Sequence, residues 1–246
     1  MFDDSLINFR KSKEEDSSRI TLTIREILQN SLDARLFDDK PARVDIELKT
    51  VNRSVLPGID QIFKSIDHLE PSNDYNRKIV NDMKKLRNLE DVQVLIAEDS
   101  NTRGLIGANS FDPDSVFYSY AYSKGKHKKL DNNINRGGSH GVGKISNNAA
   151  SKLNLMYFSN FDEDGNKQIG GSVFLFEHEI EGERFDGVGY LTSSKVIDGK
   201  IVRIPYQLTK EYDEIFQKNT RGLKVIIPYL LDESSDLKDR TSIVMG

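Results

Sequence analysis

Between positions 22 and 37 apolar residues recur at helical spacing, and Ile24, Ile27, Leu28 and Leu32 form one stripe, which predicts an amphipathic helix. At about 100° per residue the polar Glu26, Asn30 and Asp33 fall at i, i+4 and i+7 and share a stripe opposite the apolar one. From Arg43 to Val51 the period changes to two. Val44, Ile46 and Leu48 lie on one side and Asp45, Glu47 and Lys49 on the other, predicting a strand with one wet face, at a sheet edge or on an open face. Helical spacing returns in Ile59, Ile62, Phe63, Ile66 and Leu69 and again in Ile79, Met83 and Leu86, with Pro71 and Asn73 punctuating two helices. Val92 to Ala97 is a nearly unbroken apolar run. It reads as a buried central strand that delivers Glu98 and Asp99 to its end.

Between Ser100 and Gly138 there is little apolar periodicity, while glycines and Lys124, Lys126, Lys128 and Lys129 accumulate, so a long loop is expected there. Tyr118, Tyr120 and Tyr122 alternate within it and would suit a strand or the packing of a closed lid. A short helix is expected at 143–153. Strands are expected at 154–160, 169–177, 185–192, 200–206 and 223–229, with Asp164-Gly165-Asn166 and Asp198-Gly199 as hairpin turns. Helices followed by a meander of strands predict an α+β fold, a two-layer sandwich with helices on one face of a mixed, largely antiparallel sheet. The polar stretch 1–19 reads as an N-terminal arm, 20–230 as one domain with a lid at about 101–138, and 231–246 as a polar tail or the start of a following region.

Composition narrows the chemistry. With 246 residues, 37% hydrophobic and 30% charged, the chain can bury a large core and has no apolar run near the roughly 20 residues of a membrane span; a cytoplasmic location is expected. The absence of cysteine excludes disulfides, thiolate metal sites and cysteine nucleophiles. A net charge of -4 gives no global electrostatic reason to bind nucleic acid, and the lysine cluster at 124–129 is read as a solvated loop face.

The block Gly137-Gly138-Ser139-His140-Gly141-Val142-Gly143-Lys144 has the composition of a phosphate cradle: glycines admit backbone amides to a polyanion and a following helix adds its positive end. Gly138 to Lys144 also fits a P-loop frame, but Ile145 stands where a hydroxyl should bind magnesium and no buried strand precedes the block. A glycine-rich turn capping a helix is the alternative for this block, as a solvated face is for the Glu26 stripe taken alone.

Taken in order, Glu26-x3-Asn30-x2-Asp33-Ala34, then Asp99 at a strand end with glycines after it, then Gly138-Ser139-His140-Gly141-Val142-Gly143 resemble the GHKL ATPase superfamily. That family comprises gyrase-type topoisomerases, 90-kDa heat-shock chaperones, sensor histidine kinases and MutL-type repair proteins. Thr220-Arg221-Gly222-Leu223 is similar to the glycine-containing strand entry that closes its adenine pocket.

The resemblance implies ATP and Mg²⁺ as cofactors. Glu26 would orient and deprotonate the attacking water, Asn30 would hold Mg²⁺ and Asp33 would line the pocket beside the sugar and lid. Asp99 would accept the adenine amino group, an acceptor that guanine's carbonyl could not satisfy. Gly138, Ser139, His140, Gly141, Val142, Gly143 and Lys144 would hold the phosphates, with Gly222 at the adenine wall. Two departures stand out: Asn101 occupies the family's first glycine position with Gly104 arriving one residue late, and Leu223 stands where a threonine often helps bind adenine.

The activity implied is slow ATP hydrolysis with lid closure driving a homodimer or partner contact, in settings such as bacterial antiviral defence or DNA repair. Two alternatives are a module that binds ATP without turnover and a sensor-kinase phosphotransferase. Against the kinase, no histidine lies in an obvious dimerisation helix before the domain.

Overall fold

The computed structural model of the chain describes residues 19–36, 39–122, 142–231 and 241–245, with the backbone alone at 142–144 and 242. In chain order the first half runs through α1 (Arg19–Asp33), β1 (Ala42–Asn52), α2 (Ile59–Asp67), α3 (Asp74–Lys85), β2 (Asp91–Ser100), α4 (Val116–Tyr122) and α5 (Val142–Ala149). Then come β3 (Leu155–Phe161), β4 (Lys167–Phe174), β5 (His178–Ile180), β6 (Glu183–Phe185), β7 (Val188–Tyr190) and β8 (Ser193–Ile197). The remaining strands are β9 (Lys200–Ile204), β10 (Tyr206–Gln207), β11 (Gly222–Pro228) and β12 (Thr241–Met245).

Eight strands form one sheet in the order β10-β4-β3-β11-β2-β1-β12, with β7 also paired to β4. Every strand pairing in it is antiparallel. The architecture is thus α+β. The largely antiparallel sheet is as expected, with no parallel pair among the described strands, and the two-layer sandwich is corrected, because helices cover both faces of the sheet. Val94, Ile96, Leu155, Tyr157 and Ile226 point into a core shared with Phe63 and Ile66 of α2 and Val80 and Met83 of α3. Their neighbours Leu95, Ala97, Met156, Phe158, Val225 and Ile227 point the other way, against Ile20 and Ile27 of α1 and Phe117 and Ala121 of α4. Strands that are apolar at every position cannot leave either face wet, so each face acquires a helical layer.

β2 sits centrally, as its unbroken apolar run requires. β1 is not an edge strand: β12 pairs with it from Ala42↔Met245 to Ile46↔Thr241, and Ile243 and Met245 pack on the second core. The end of the polar stretch after 231 therefore belongs to the sheet. The hairpin turns lie where their residues predict, Gly165 between β3 and β4 and Asp198-Gly199 between β8 and β9, all three with positive φ.

The segment after Asp99 is less irregular than its sequence suggests. Tyr118, Tyr120 and Tyr122 are helical, not extended. The Ser115 hydroxyl accepts the Tyr118 N–H at 3.3 Å, and Phe117 and Tyr118 are buried, with Phe117 edge-on to Phe158 at 5.9 Å. A buried aromatic face outweighs the alternation of three tyrosines. Among the described residues no helix is long and apolar enough to cross a membrane. The lysine cluster lies outside them.

Candidate functional site

Asp99 is buried and tightly held. It ends the β2 apolar run on the face that α1 covers, and it is only 5% exposed. Three donors converge on its carboxylate from three different segments. Thr102 Oγ1 and the Leu223 backbone N–H both donate to Oδ1 at 2.6 Å, and Ser31 Oγ donates to Oδ2 at 2.9 Å. A carboxylate offers about four lone-pair directions, so Oδ2 keeps one for a further donor. Burial pushes the Asp99 pKa up; the hydrogen bonds from Thr102 and Leu223, the Lys218 charge and the Ser31 hydroxyl pull against it.

Gly222 makes this packing feasible. Its φ is 137°, and a Cβ there would lie 2.1 Å from Asp99 Oδ1, 2.6 Å from Thr102 Oγ1 and 2.8 Å from the Asp99 carbonyl. The hydroxyl on Asp99 Oδ1 comes from Thr102, across the turn that follows β2.

That turn uses the substituted positions that the sequence singles out. Asn101 has φ 61°, a left-handed conformation that asparagine tolerates, and its Nδ2 donates to the Pro41 carbonyl at 3.0 Å. Leu36 N–H donates to the Asn101 carbonyl and Arg103 N–H to the Ala34 carbonyl, both at 2.9 Å, so the end of α1 is laced to the end of β2. Gly104 follows with φ 68°, pressed so close to β3 that a Cβ would sit 2.7 Å from the Phe161 carbonyl.

The side chain of Asn160, wholly buried, then mimics a strand. Its Oδ1 accepts Leu105 N–H at 2.7 Å and its Nδ2 donates to the Leu105 carbonyl at 3.0 Å. Asn160→Ala is expected to cost about 2–3 kcal/mol, since it strands a buried N–H and a buried carbonyl. Denaturant unfolding and faster hydrogen exchange at Leu105 would show it, and wild-type exchange at Leu105 would contradict the clamp.

The Glu26 stripe lies elsewhere on α1 than periodicity predicts. The buried positions are Ile20, Thr23, Ile27 and Ser31, between the apolar stripe and the polar one. Glu26, Asn30 and Asp33 therefore sit at about a quarter turn from the sheet-facing side, not opposite it. Glu26 is half-buried, Asn30 and Asp33 are exposed, and Gln29 Nε2 donates to Asp33 Oδ1 at 3.0 Å.

Two small polar residues at the boundary do the joining. Ser31, next to Asn30, reaches Asp99, and Thr23 Oγ1 donates to the Ser146 carbonyl of α5 at 3.0 Å. α5 is itself locked to the sheet by Asn148, whose Nδ2 donates to the Asn154 and Ser172 carbonyls at 2.9 and 2.8 Å. Val142, Gly143 and Lys144 form its first turn. Gly138, Ser139, His140 and Gly141 lie outside the described residues.

The structure thus joins Asp99 and Gly222 in one network, with Asn101 and Gly104 in the adjoining turn, and ties the Asn30 segment to it through Ser31. Its other members, Ser31, Thr102 and Lys218, carry no sequence signal beyond small polar residues interrupting an apolar stripe at positions 23 and 31. The Tyr120 hydroxyl and Asn147 Oδ1 are buried and face one another. Burial pushes the Tyr120 hydroxyl pKa far up, the Asn147 side chain opposes this, and the charge of Asp99 adds to it. No protein-family model, no curated protein and no solved structure matches the chain.

Proposed function

We propose that this chain is an ATP-binding domain of GHKL type that binds Mg·ATP and hydrolyses it slowly. One observation carries the reading: a buried carboxylate at the end of the central strand, held by three donors, with one acceptor direction left, and bonded to the helix that bears Glu26 and Asn30. A fixed acceptor in a nearly dry site selects an exocyclic amino group. Adenine offers one where guanine offers a carbonyl, so ATP is preferred over GTP.

Asn30, exposed one turn beyond Glu26, fits a magnesium ion that takes most of its ligands from phosphate and water and needs a single amide oxygen from the protein. Such an ion supplies neutralisation of phosphate charge. Glu26, on the same stripe, is the base: its carboxylate accepts the proton of the attacking water while the helix fixes its distance from Asn30. Backbone amides at the start of α5, from Val142 onward, and the preceding glycine block receive the phosphates. Nucleotide binding then drives dimerisation or the capture of a partner protein.

Glu26→Ala is expected to keep Mg·ATP affinity within about threefold while phosphate release falls by about 10²- to 10⁴-fold. Calorimetry and a phosphate-release assay on the same preparations separate the two. Undiminished release from Glu26→Ala would remove Glu26 from the role of base. An ATP-binding scaffold without turnover is the second reading, favoured by the missing hydroxyl at Leu223. Tight Mg·ATP binding by the wild type with no phosphate release would select it.

A further inference from the structure

Lys218 is a fully buried cation that no part of the nucleotide reading uses. Its ammonium donates to the Asp99 carbonyl at 2.7 Å, to the Thr220 carbonyl at 2.7 Å and to Thr220 Oγ1 at 2.9 Å, and lies 3.2 Å from Glu98 Oε1. All three of its protons are thus engaged. The other oxygen of Glu98 takes Lys224 at 2.9 Å, and Lys224 also donates to the Gln217 carbonyl. Glu98 and Asp99 are adjacent on a strand and so point to opposite faces. The lysines and Glu98 sit behind the strand end and the Asp99 carboxylate in front. Two cations and Glu98 leave one positive charge uncompensated, and Asp99 closes the balance.

The contacts of Lys218 are selective. They pin the backbone of Asp99 from behind and the loop at Thr220, and these two segments deliver the carboxylate and the Gly222-Leu223 edge that donates to it. We infer that Lys218 is a positioning residue for base recognition: it pins the Asp99 backbone and places a buried positive charge behind the carboxylate, so that the remaining lone pair of that carboxylate receives the exocyclic amino group of the nucleotide. A buried carboxylate without a nearby cation takes up a proton and turns from acceptor to donor, and a donor facing an amino group repels it. Burial pushes the ammonium pKa of Lys218 down against the carboxylates of Glu98 and Asp99, and the Lys218 charge in turn lowers the Asp99 pKa against the larger upward push of burial. The inference rests on the ATP reading and assigns the source of its base selectivity.

The test compares ATP with its 6-deamino analogue, purine riboside triphosphate, which lacks only the group that Asp99 receives. Wild-type protein is expected to prefer ATP by about 10- to 100-fold, the worth of one hydrogen bond to a charged acceptor. In Lys218→Gln, which keeps donors in place but removes the charge, and in Lys218→Met, the preference falls to under about threefold, chiefly through lost ATP affinity. Thermal unfolding confirms that each variant folds, and Gln serves where Met does not fold. A purely structural lysine would weaken both nucleotides equally and leave the ratio at its wild-type value, which overturns the inference while the ATP reading stands. Failure of the wild type to bind either nucleotide overturns the ATP reading itself.

Discussion

Gly222→Ala is expected to lower the unfolding midpoint by about 5–15 °C and to abolish measurable nucleotide binding. The added methyl would lie 2.1 Å from Asp99 Oδ1 and 2.8 Å from the Asp99 backbone carbonyl, well inside any real carbon–oxygen contact. Neither neighbour can yield. The carboxylate is held by Ser31, Thr102 and the Leu223 N–H, and the carbonyl by Lys218. Overpacking of this kind costs about 1–3 kcal/mol, and an alanine held at φ 137° adds a similar amount of backbone strain. For a domain of this size a loss of about 2–5 kcal/mol corresponds to the stated drop in midpoint. The only relief is to push Leu223 away from Asp99, which breaks the N–H bond that fixes Oδ1. A thermal melt with and without Mg·ATP reads both effects. A wild-type midpoint would mean that the packing between β11 and the end of β2 is looser than the structure has it.

Asp99→Asn should separate stability from recognition. The asparagine keeps an oxygen for the Thr102 and Leu223 donors and turns its amide toward the Ser31 hydroxyl, so the buried network stays satisfied. What it loses is a charge. Because burial raises the folded pKa of Asp99 above its ordinary 3.8, the native state binds a proton more tightly than the unfolded chain does between those two values. Stability contributed by Asp99 therefore falls as pH rises through that window, and above it the penalty of the buried charge is fully present. Asp99→Asn removes the penalty. The relieved burial of the carboxylate opposes the positive charge left uncompensated on Lys218 and Lys224, so the unfolding free energy at pH 7 is expected to stay within about 1 kcal/mol of wild type, with the difference fading as pH approaches 4. Nucleotide binding falls. The amide places a donor where the amino group of adenine needs an acceptor, so ATP affinity falls by about 10- to 100-fold. In the wild type the same loss sets in as pH falls through the raised pKa of Asp99. Urea titrations at pH 7 and pH 4.5 beside calorimetry check both halves. A variant that binds ATP like the wild type would remove Asp99 from base recognition.

Taken together, these variants draw a line between what holds the fold and what the site does. Asn160 and Gly222 act on both, since the same backbone segments carry the sheet and deliver the carboxylate. Glu26 sits half-buried beside the sheet-facing positions of α1, and comparing phosphate release with unfolding of Glu26→Ala separates the two.

Local pattern alone determined a good deal. The period of 3.6 in α1, α2 and α3, the period of two in β1 and the apolar run of β2 with Asp99 at its end needed no knowledge of partners. The reason is that amphipathicity is written into the spacing of one segment. The left-handed tolerance of Asn101 was equally local, and φ 61° follows from residue type and turn. Spacing says which residues share a face but not what that face meets. The tyrosines 118, 120 and 122 alternated and yet fold as a helix, because a buried aromatic cluster across the sheet decided it. The Glu26 stripe lay a quarter turn from the core and not opposite it, because Thr23 and Ser31 were drawn inward by α5 and Asp99. Helices on both faces followed from how α2 and α3 return to the sheet. The carboxylate at the end of β2 is held by groups from positions 31, 102 and 223, three segments of which the first and last lie far from it in sequence. Only the antiparallel register, which sets Lys224 opposite Glu98 and Val44 opposite Asp99, brings those segments to one strand end. Residue spacing carries no information about which strand a given strand will pair with, and that choice is made by the packing of the whole sheet.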